Sequence, residues 1–271
     1  MIEINKVYNE NCIDTMDKMG ENFVDLVVTS PPYDGLRDYK GYSFDFERVA
    51  KGLYSVMKEG GVVVWVVGDA TVKGSETGTS FAQALYFKSI GFLLHDTMIY
   101  EKPSRFPSGC KSNRYSQEFE YMFIFSKNIS PKYVNLIRDK KNKYSGLKIH
   151  GSIRKKNGEM VKATKGDENK FVNELGVRTN IWRYATGYGN SSKDDVAFDH
   201  PAIFPEALVA DNIKSWSKEG DLVYDPFMGS GTTAKMSLLT NRNYIGSEIS
   251  NEYCDIIEKR MNMYKNNLFK I

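Results

Sequence analysis

The sequence predicts an α/β protein built on a doubly wound, mostly parallel sheet. Three observations lead there. Short β-rich runs bounded by Gly, Pro, Asp or Ser recur along the chain, amphipathic patterns of helical length separate most of them, and the two halves so formed flank a basic stretch without periodicity. Strands joined by helices pair in parallel through crossovers, which is the signature of β-α-β units.

The β-rich runs are Val24 to Thr29, Val62 to Val67, Thr97 to Tyr100, Tyr121 to Phe125, Leu222 to Tyr224, and Tyr244 to Ile245. Among the helical patterns, "FERVAKGLYSVMKEGG" puts Val49, Leu53, Val56 and Met57 on one face and closes on Gly60-Gly61, a C-cap signal. "TSFAQALYFKSIGF" is expected to begin after Thr79 or Ser80 and to end at Gly91. "FPEALVADNIKSWS" opens with Pro205 in the first turn and repeats Leu208, Ile213 and Trp216 at helical spacing.

A chain of 271 residues, 41% hydrophobic and 26% charged, can bury one large core or two modest ones. Its longest apolar run, Val62 to Val67, is far too short to span a bilayer, and "MIEINKVYNEN" lacks the basic and apolar parts of a leader, so a cytoplasmic protein is expected. Cys12, Cys110 and Cys254 are odd in number and widely spaced, with no metal-ligand pairing, and read as free thiols.

The net charge of +3 is unevenly distributed. Between Lys127 and Asn180 there are 14 Lys/Arg against 5 Asp/Glu, which leaves the rest of the chain at −6. Tyr, Ile and Val are interleaved with the lysines in this segment. A solvated loop would account for it, but a basic segment in an otherwise acidic chain is more economically a phosphate-contacting surface.

Ligands of a doubly wound sheet collect beyond the carboxyl ends of its strands, and two such ends carry chemistry. In "GDLVYDPFMGSGTTAKMSLLTNRNYIGSEIS" a strand runs into Asp225-Pro226-Phe227, then Gly229-Ser230-Gly231, then a helix starting near Thr232. Glycines there let the backbone approach a ligand and aim helix N–H groups at it. Glu248 ends the next strand, where a carboxylate suits a ribose diol. The spacing Gly229-x-Gly231-x-x-Ala234 also fits a dinucleotide fingerprint, which keeps a nicotinamide oxidoreductase open, although the sequence after it is too short for a second nucleotide half. A nucleoside ligand without a pyrophosphate needs only this half. At the other strand end, Thr29-Ser30-Pro31-Pro32-Tyr33 has no backbone donor at either proline and a fixed φ at both. Its carbonyls and the Ser30 hydroxyl are acceptors beside the flat Tyr33 ring, an arrangement suited to a planar ligand with an exocyclic amino group.

Together, "TSPPY" and "DPFMGSGTT" resemble the motifs of the S-adenosylmethionine-dependent amino-group DNA methyltransferases, which modify cytosine N4 or adenine N6. With the SPPY block first, the basic insertion next and the glycine-rich block last, the chain is similar to their circularly permuted beta class. The likeness extends through "VYNENCIDTM", "MKEGGVVVWVVGD", "FEYMFIFSK", "HPAIFPEALV" and "YIGSEISNEYCDIIEKR". It implies a Rossmann-like methyltransferase sheet, mostly parallel with one antiparallel strand, plus an inserted target-recognition region. Residues 1–126 would form the first, amino-acceptor part of the catalytic domain, 127–180 the insertion, and 181–271 the second, cofactor-binding part. Asp225, Phe227, Gly229, Ser230, Gly231 and Thr232 would cradle the methionine part of the cofactor, Glu248 the ribose, Asn11 and Cys12 the adenine. Phe204, in a block from His200 to Pro205, would close over it. Asn11 stands where relatives usually carry Asp. Arg154, Lys155 and Lys156 of the insertion would contact double-stranded DNA. A cognate restriction endonuclease and a second copy of the chain are the further partners the resemblance allows, in a bacterial, archaeal or phage setting.

In the mechanism this implies, Ser30 and the Pro31 carbonyl accept the two amino hydrogens of a flipped-out base, Pro32 stiffens the rim, and Tyr33 stacks on the ring. Within the family, Ser at the first position of the block goes mainly with N4-cytosine and Asp with N6-adenine, so Ser30 favours cytosine, with adenine the alternative. C5-methylation would need a thiolate, and no cysteine here sits in a Pro-Cys context. A non-catalytic nucleic-acid-binding protein that keeps the fold, and RNA or protein as acceptor, stay open on sequence alone.

Overall fold

The computed structural model describes residues 2–32, 44–103, 114–163 and 170–268, so Tyr33 and Cys110 lie outside the described residues. Two compact units form, one of Met1–Asn135 with Asn180–Ile271 and one of Leu136–Thr179. Residues 127–135, which the sequence division gave to the insertion, belong with the first unit.

The first unit holds an eight-stranded sheet: β1 (Lys6–Tyr8), β2 (Val24–Thr29), β3 (Met57–Val67), β4 (Phe92–Glu101), β5 (Phe119–Lys127), β6 (Ile181–Arg183), β7 (Leu222–Asp225) and β8 (Asn243–Ser247). Across the sheet the order is β1-β8-β7-β2-β3-β5-β4-β6. Every neighbouring pair is parallel except β3 with β5 and β5 with β4, which makes β5 the single antiparallel strand. The predicted fold class therefore holds. Edge strands β1 and β6 have three residues each, too short to show periodicity in the sequence.

Six helices cross over: α1 (Cys12–Lys18), α2 (Phe46–Val56), α3 (Thr79–Ser89), α4 (Glu206–Trp216), α5 (Thr232–Leu239) and α6 (Asn251–Leu268). They form two sets, α1 against α2 against α3, and α4 against α5 against α6. Strands covered on both faces read as continuous apolar runs, and Val62 to Val67 of β3 are accordingly almost wholly buried. Trp65, at the centre, packs edge-on to Phe87 at 5.1 Å and donates its indole N–H to Gln83 Oε1 at 2.8 Å, so the largest core side chain leaves no polar atom unpaired. Among the described residues, no helix is long and apolar enough to cross a membrane.

Gly60-Gly61 does not cap α2. The helix ends at Val56, Met57 is already extended and paired with Val24, and the glycines lie inside β3 where its register against β2 shifts. Gly60 has φ +66°, and a Cβ on Gly61 would come within 3.0 Å of the Asp25 carbonyl oxygen. They accommodate a bulge, which a helical pattern running straight into a buried strand conceals. Two smaller boundaries also move: Thr79 is the first residue of α3 behind an N-cap at Gly78, and Pro205 is the N-cap of α4 rather than part of its first turn.

The second unit is made of short strands. Arg138–Lys141 pairs antiparallel with Leu175–Val177, and Ser152–Arg154 with Met160–Lys162. Its backbone is ordered into two ladders, while nearly every side chain on them is exposed.

Candidate active site

At the carboxyl edge of the sheet, β2, β7 and β8 end side by side around a cleft of about 820 Å³. Ser30, Pro31 and Pro32 line it just beyond β2. Asp225, Phe227, Gly229, Ser230 and Thr232 line it beyond β7, and Glu248 beyond β8. Asn11, Cys12 and Phe204 complete the set, so every described candidate of the acceptor and cofactor groups faces this one space except Gly231.

Gly231 serves the turn differently. It is the N-cap of α5 at φ +81°, and a Cβ there would meet Ile257 at 3.2 Å, so the residue lets α5 start close to α6. Gly229, at φ +54°, would with a Cβ approach the His200 ring at 3.2 Å. A side chain at either position would be both strained and crowded.

Asp225 is the hub. Its Oδ1 accepts from the Thr29 hydroxyl at 2.7 Å and the Phe227 N–H at 3.0 Å, and its Oδ2 from the Thr233 hydroxyl at 2.6 Å. Burial pushes this carboxyl above its ordinary value, and the three donors act against that push. Thr29 immediately precedes Ser30, so the carboxylate pins the acceptor block at the end of β2 to the glycine turn at the end of β7. The sequence could have pointed to Thr29 and Thr233: a fully buried carboxylate requires donors, and hydroxyls adjoin both motifs.

Glu248 is held by backbone. Its Oε2 accepts from Gly229 N at 2.9 Å and its Oε1 from Ser250 N at 2.9 Å, while burial again raises the carboxyl against these bonds. Each oxygen keeps a second lone pair, which is what a vicinal diol needs. Asn11 caps α1, accepting from Ile13 N at 2.9 Å. Asp and Asn are near-equal N-caps, which gives the departure at this position a physical reason to be tolerated. The Cys12 thiol is pushed up to about 12 by burial, so it is not a thiolate nucleophile at neutral pH. Phe227 meets Phe44 edge-on at 5.3 Å, and His200 packs on Tyr253 at 4.2 Å with its Nδ1 turned to Ala202, as a wall and not as a base.

Arg154, Lys155 and Lys156 belong to the second unit and are exposed; Lys155 Nζ pairs with Glu159 at 2.9 Å. An exposed pair of this kind is worth little, so Lys155 can exchange Glu159 for another anion at small cost.

A family model described as DNA methylase, of the N6/N4 type, matches residues 24–259. The orphan methyltransferase M.BamHII of Bacillus amyloliquefaciens is 61% identical over 251 residues, covering 92% of each chain. The type II methyltransferase M.BglII of Bacillus subtilis is 28% identical over 264 residues, covering 93% of this chain and 68% of its own. Among solved structures, the PvuII DNA methyltransferase (cytosine-N4-specific) matches with a TM-score of 0.66 at 21% identity over 92% of this chain and 83% of that one. A DNA modification methylase of Thermus thermophilus, TTHA0409, solved with S-adenosyl-L-methionine, matches at 0.63 and 21% identity, over 94% and 92%. The structural likenesses show a Rossmann-like methyltransferase fold.

Proposed function

The chain belongs to the N6/N4 DNA methylase family, and we propose that it moves the methyl group of S-adenosylmethionine to the N4 of a cytosine flipped out of double-stranded DNA. The observation that carries this is the Thr29–Asp225 hydrogen bond of 2.7 Å, which fixes Ser30-Pro31-Pro32 and the glycine turn as two walls of one cleft. The order of those blocks along the chain supports the permuted beta class.

The cleft fits the cofactor. It has the volume of a nucleoside-sized ligand site, a turn at Gly229 from which side chains are excluded, and a buried carboxylate, Glu248, held at the strand end. Glu248 would take the ribose hydroxyls, Asn11 and Cys12 would border the adenine, and Phe227, Gly229, Ser230 and Thr232 would hold the methionine part beneath Phe204. When bound, S-adenosylmethionine supplies an electrophilic methyl on a sulfonium that leaves as a neutral thioether.

What the chain itself does is hold the acceptor. The amino nitrogen of a nucleobase has its lone pair delocalised into the ring. Hydrogen bonds from its two N–H groups to Ser30 Oγ and the Pro31 carbonyl favour a more tetrahedral nitrogen and free that pair for attack. Both acceptors stand on a segment whose φ is fixed by proline, so they are oriented before the base arrives. Methylation of carbon would require a thiolate, and burial keeps the Cys12 thiol protonated. Both cytosine and adenine present an exocyclic NH2, and cytosine is favoured by Ser30 at the first position of the block.

The test is to incubate the protein with mixed-sequence duplex DNA and labelled cofactor, digest to nucleosides and identify the labelled one by mass. N4-methylcytosine is expected, N6-methyladenine would move the assignment to the other base, and label only in RNA or protein controls would refute the reading. In the second unit, replacing Lys155 and Lys156 together by Gln should weaken DNA binding and lower its salt slope by about one or two ions. A slope equal to the parent's would return this unit to a solvated loop.

A further inference from the structure

We propose that a buried cluster of Asp194, Glu206, Lys235 and Arg260 sets the spacing between the two walls of the cofactor cleft, with Arg260 as its positioning residue. This rests on reading that cleft as the S-adenosylmethionine site.

Arg260 is fully buried on α6 among Ile256, Ile257 and Met261. Its Nε donates to Asp194 Oδ2 at 2.7 Å. Nη1 donates to the Ser230 carbonyl at 2.9 Å and to Thr232 Oγ1 at 3.0 Å. Nη2 donates to Ser192 Oγ at 3.1 Å and Glu206 Oε1 at 2.5 Å. Five bonds match the five N–H groups of a guanidinium, in a planar fork that lysine cannot reproduce. Lys235 of α5 adds 2.8 Å contacts to both Asp194 and Glu206, and the Tyr264 hydroxyl donates to Asp194.

The two acids occupy telling positions. Asp194 directly precedes the 3₁₀ turn Asp195–Asp199, and Glu206 is the first residue of α4. The stretch between them carries Phe198, His200 and Phe204, all of which line the cleft. Both roots of this wall are thus ion-paired to α5 and α6, while the same guanidinium grips Ser230 and Thr232 on the opposite wall. A shift of one wall must break bonds to the other. Two acids balance two bases, so the cluster is neutral, and apolar side chains of similar volume would be about as stabilising. Directional bonds add what apolar packing lacks, a fixed distance between the walls.

The experiment begins with a calorimetric titration of S-adenosylmethionine into the parent protein, whose failure to bind would refute the cleft assignment itself. Given binding, Arg260→Lys and Glu206→Gln are compared with the parent for cofactor affinity, steady-state kinetics and melting temperature. Expected is a rise of about tenfold in the cofactor Kd and KM, the scale of a lost charge-assisted hydrogen bond, with kcat recovered at saturating cofactor and the DNA KM unmoved. Glu206→Gln retains an acceptor oxygen and decides the matter should Arg260→Lys not fold. Folded variants with the parent's cofactor affinity would overturn the proposal, as would loss of kcat at constant Kd. Failure of both variants to fold would assign the cluster to stability alone and overturn it equally.

Discussion

Ser30→Ala is expected to lower kcat by about 100-fold or more, the scale seen when one preorganised polar contact to a reacting group is removed, and to leave S-adenosylmethionine binding intact. The hydroxyl would accept one of the two amino hydrogens, so its loss leaves the Pro31 carbonyl to hold the base alone. Nothing in the cofactor cradle depends on it: the bonds of Asp225 run through Thr29, and those of Glu248 through Gly229 and Ser250. Single-turnover kinetics with saturating cofactor separate the two effects. Parent-like turnover in this variant would remove Ser30 from the catalytic group.

Asp225→Ala is expected to fail in the opposite order, at binding before chemistry. It strands the Thr29 and Thr233 hydroxyls and the Phe227 N–H, each of which now donates to the carboxylate. A buried donor left unpaired costs about 1–3 kcal/mol, although hydroxyls can turn to other acceptors, so a stability loss of about 3 kcal/mol is expected. Cofactor affinity should fall by at least about tenfold, because the turn loses its tie to β2. Asp225→Asn keeps one acceptor oxygen and should be milder in both respects. It also isolates a pH effect. A carboxyl raised above its ordinary value of 3.8 by burial binds a proton more readily in the folded state. Its contribution is fully present below that value and declines as pH rises through the raised one. The stability difference between parent and Asp225→Asn should therefore shift against the parent across that window and stay level above it. Urea melts at several pH values check this.

Most of the fold was legible because it rests on periodicity. The Val24 to Thr29 run is β2 residue for residue, and the alternation of apolar runs with helical patterns gave the parallel sheet. What escaped lacked a periodic signal: the three-residue edge strands, and the Gly60-Gly61 bulge, where glycine permits a helix cap and a strand irregularity alike. The candidate site was legible in its motifs, whose described residues converge on one cleft, Gly231 excepted. The supporting residues were not, because their partners are distant in sequence. Thr29 reaches Asp225 across 196 positions, and Arg260 reaches Asp194 across 66. One clue was present. "YCDIIEKR" places Arg260 beside Ile256 and Ile257 on a helix, and a charge on an apolar face must find partners or be expelled.

The central claim is that a donor-free rim grips an extruded base by its amino group next to the bound cofactor. Its most direct test is a crystal structure of the protein with S-adenosylhomocysteine and a duplex containing its methylated site. The account predicts the target base outside the helix, its amino nitrogen within about 3.5 Å of both Ser30 Oγ and the Pro31 carbonyl oxygen, and its edge turned toward the cofactor sulfur. A target base still stacked in the duplex, or held elsewhere with Ser30 and Pro31 turned away from it, would contradict it.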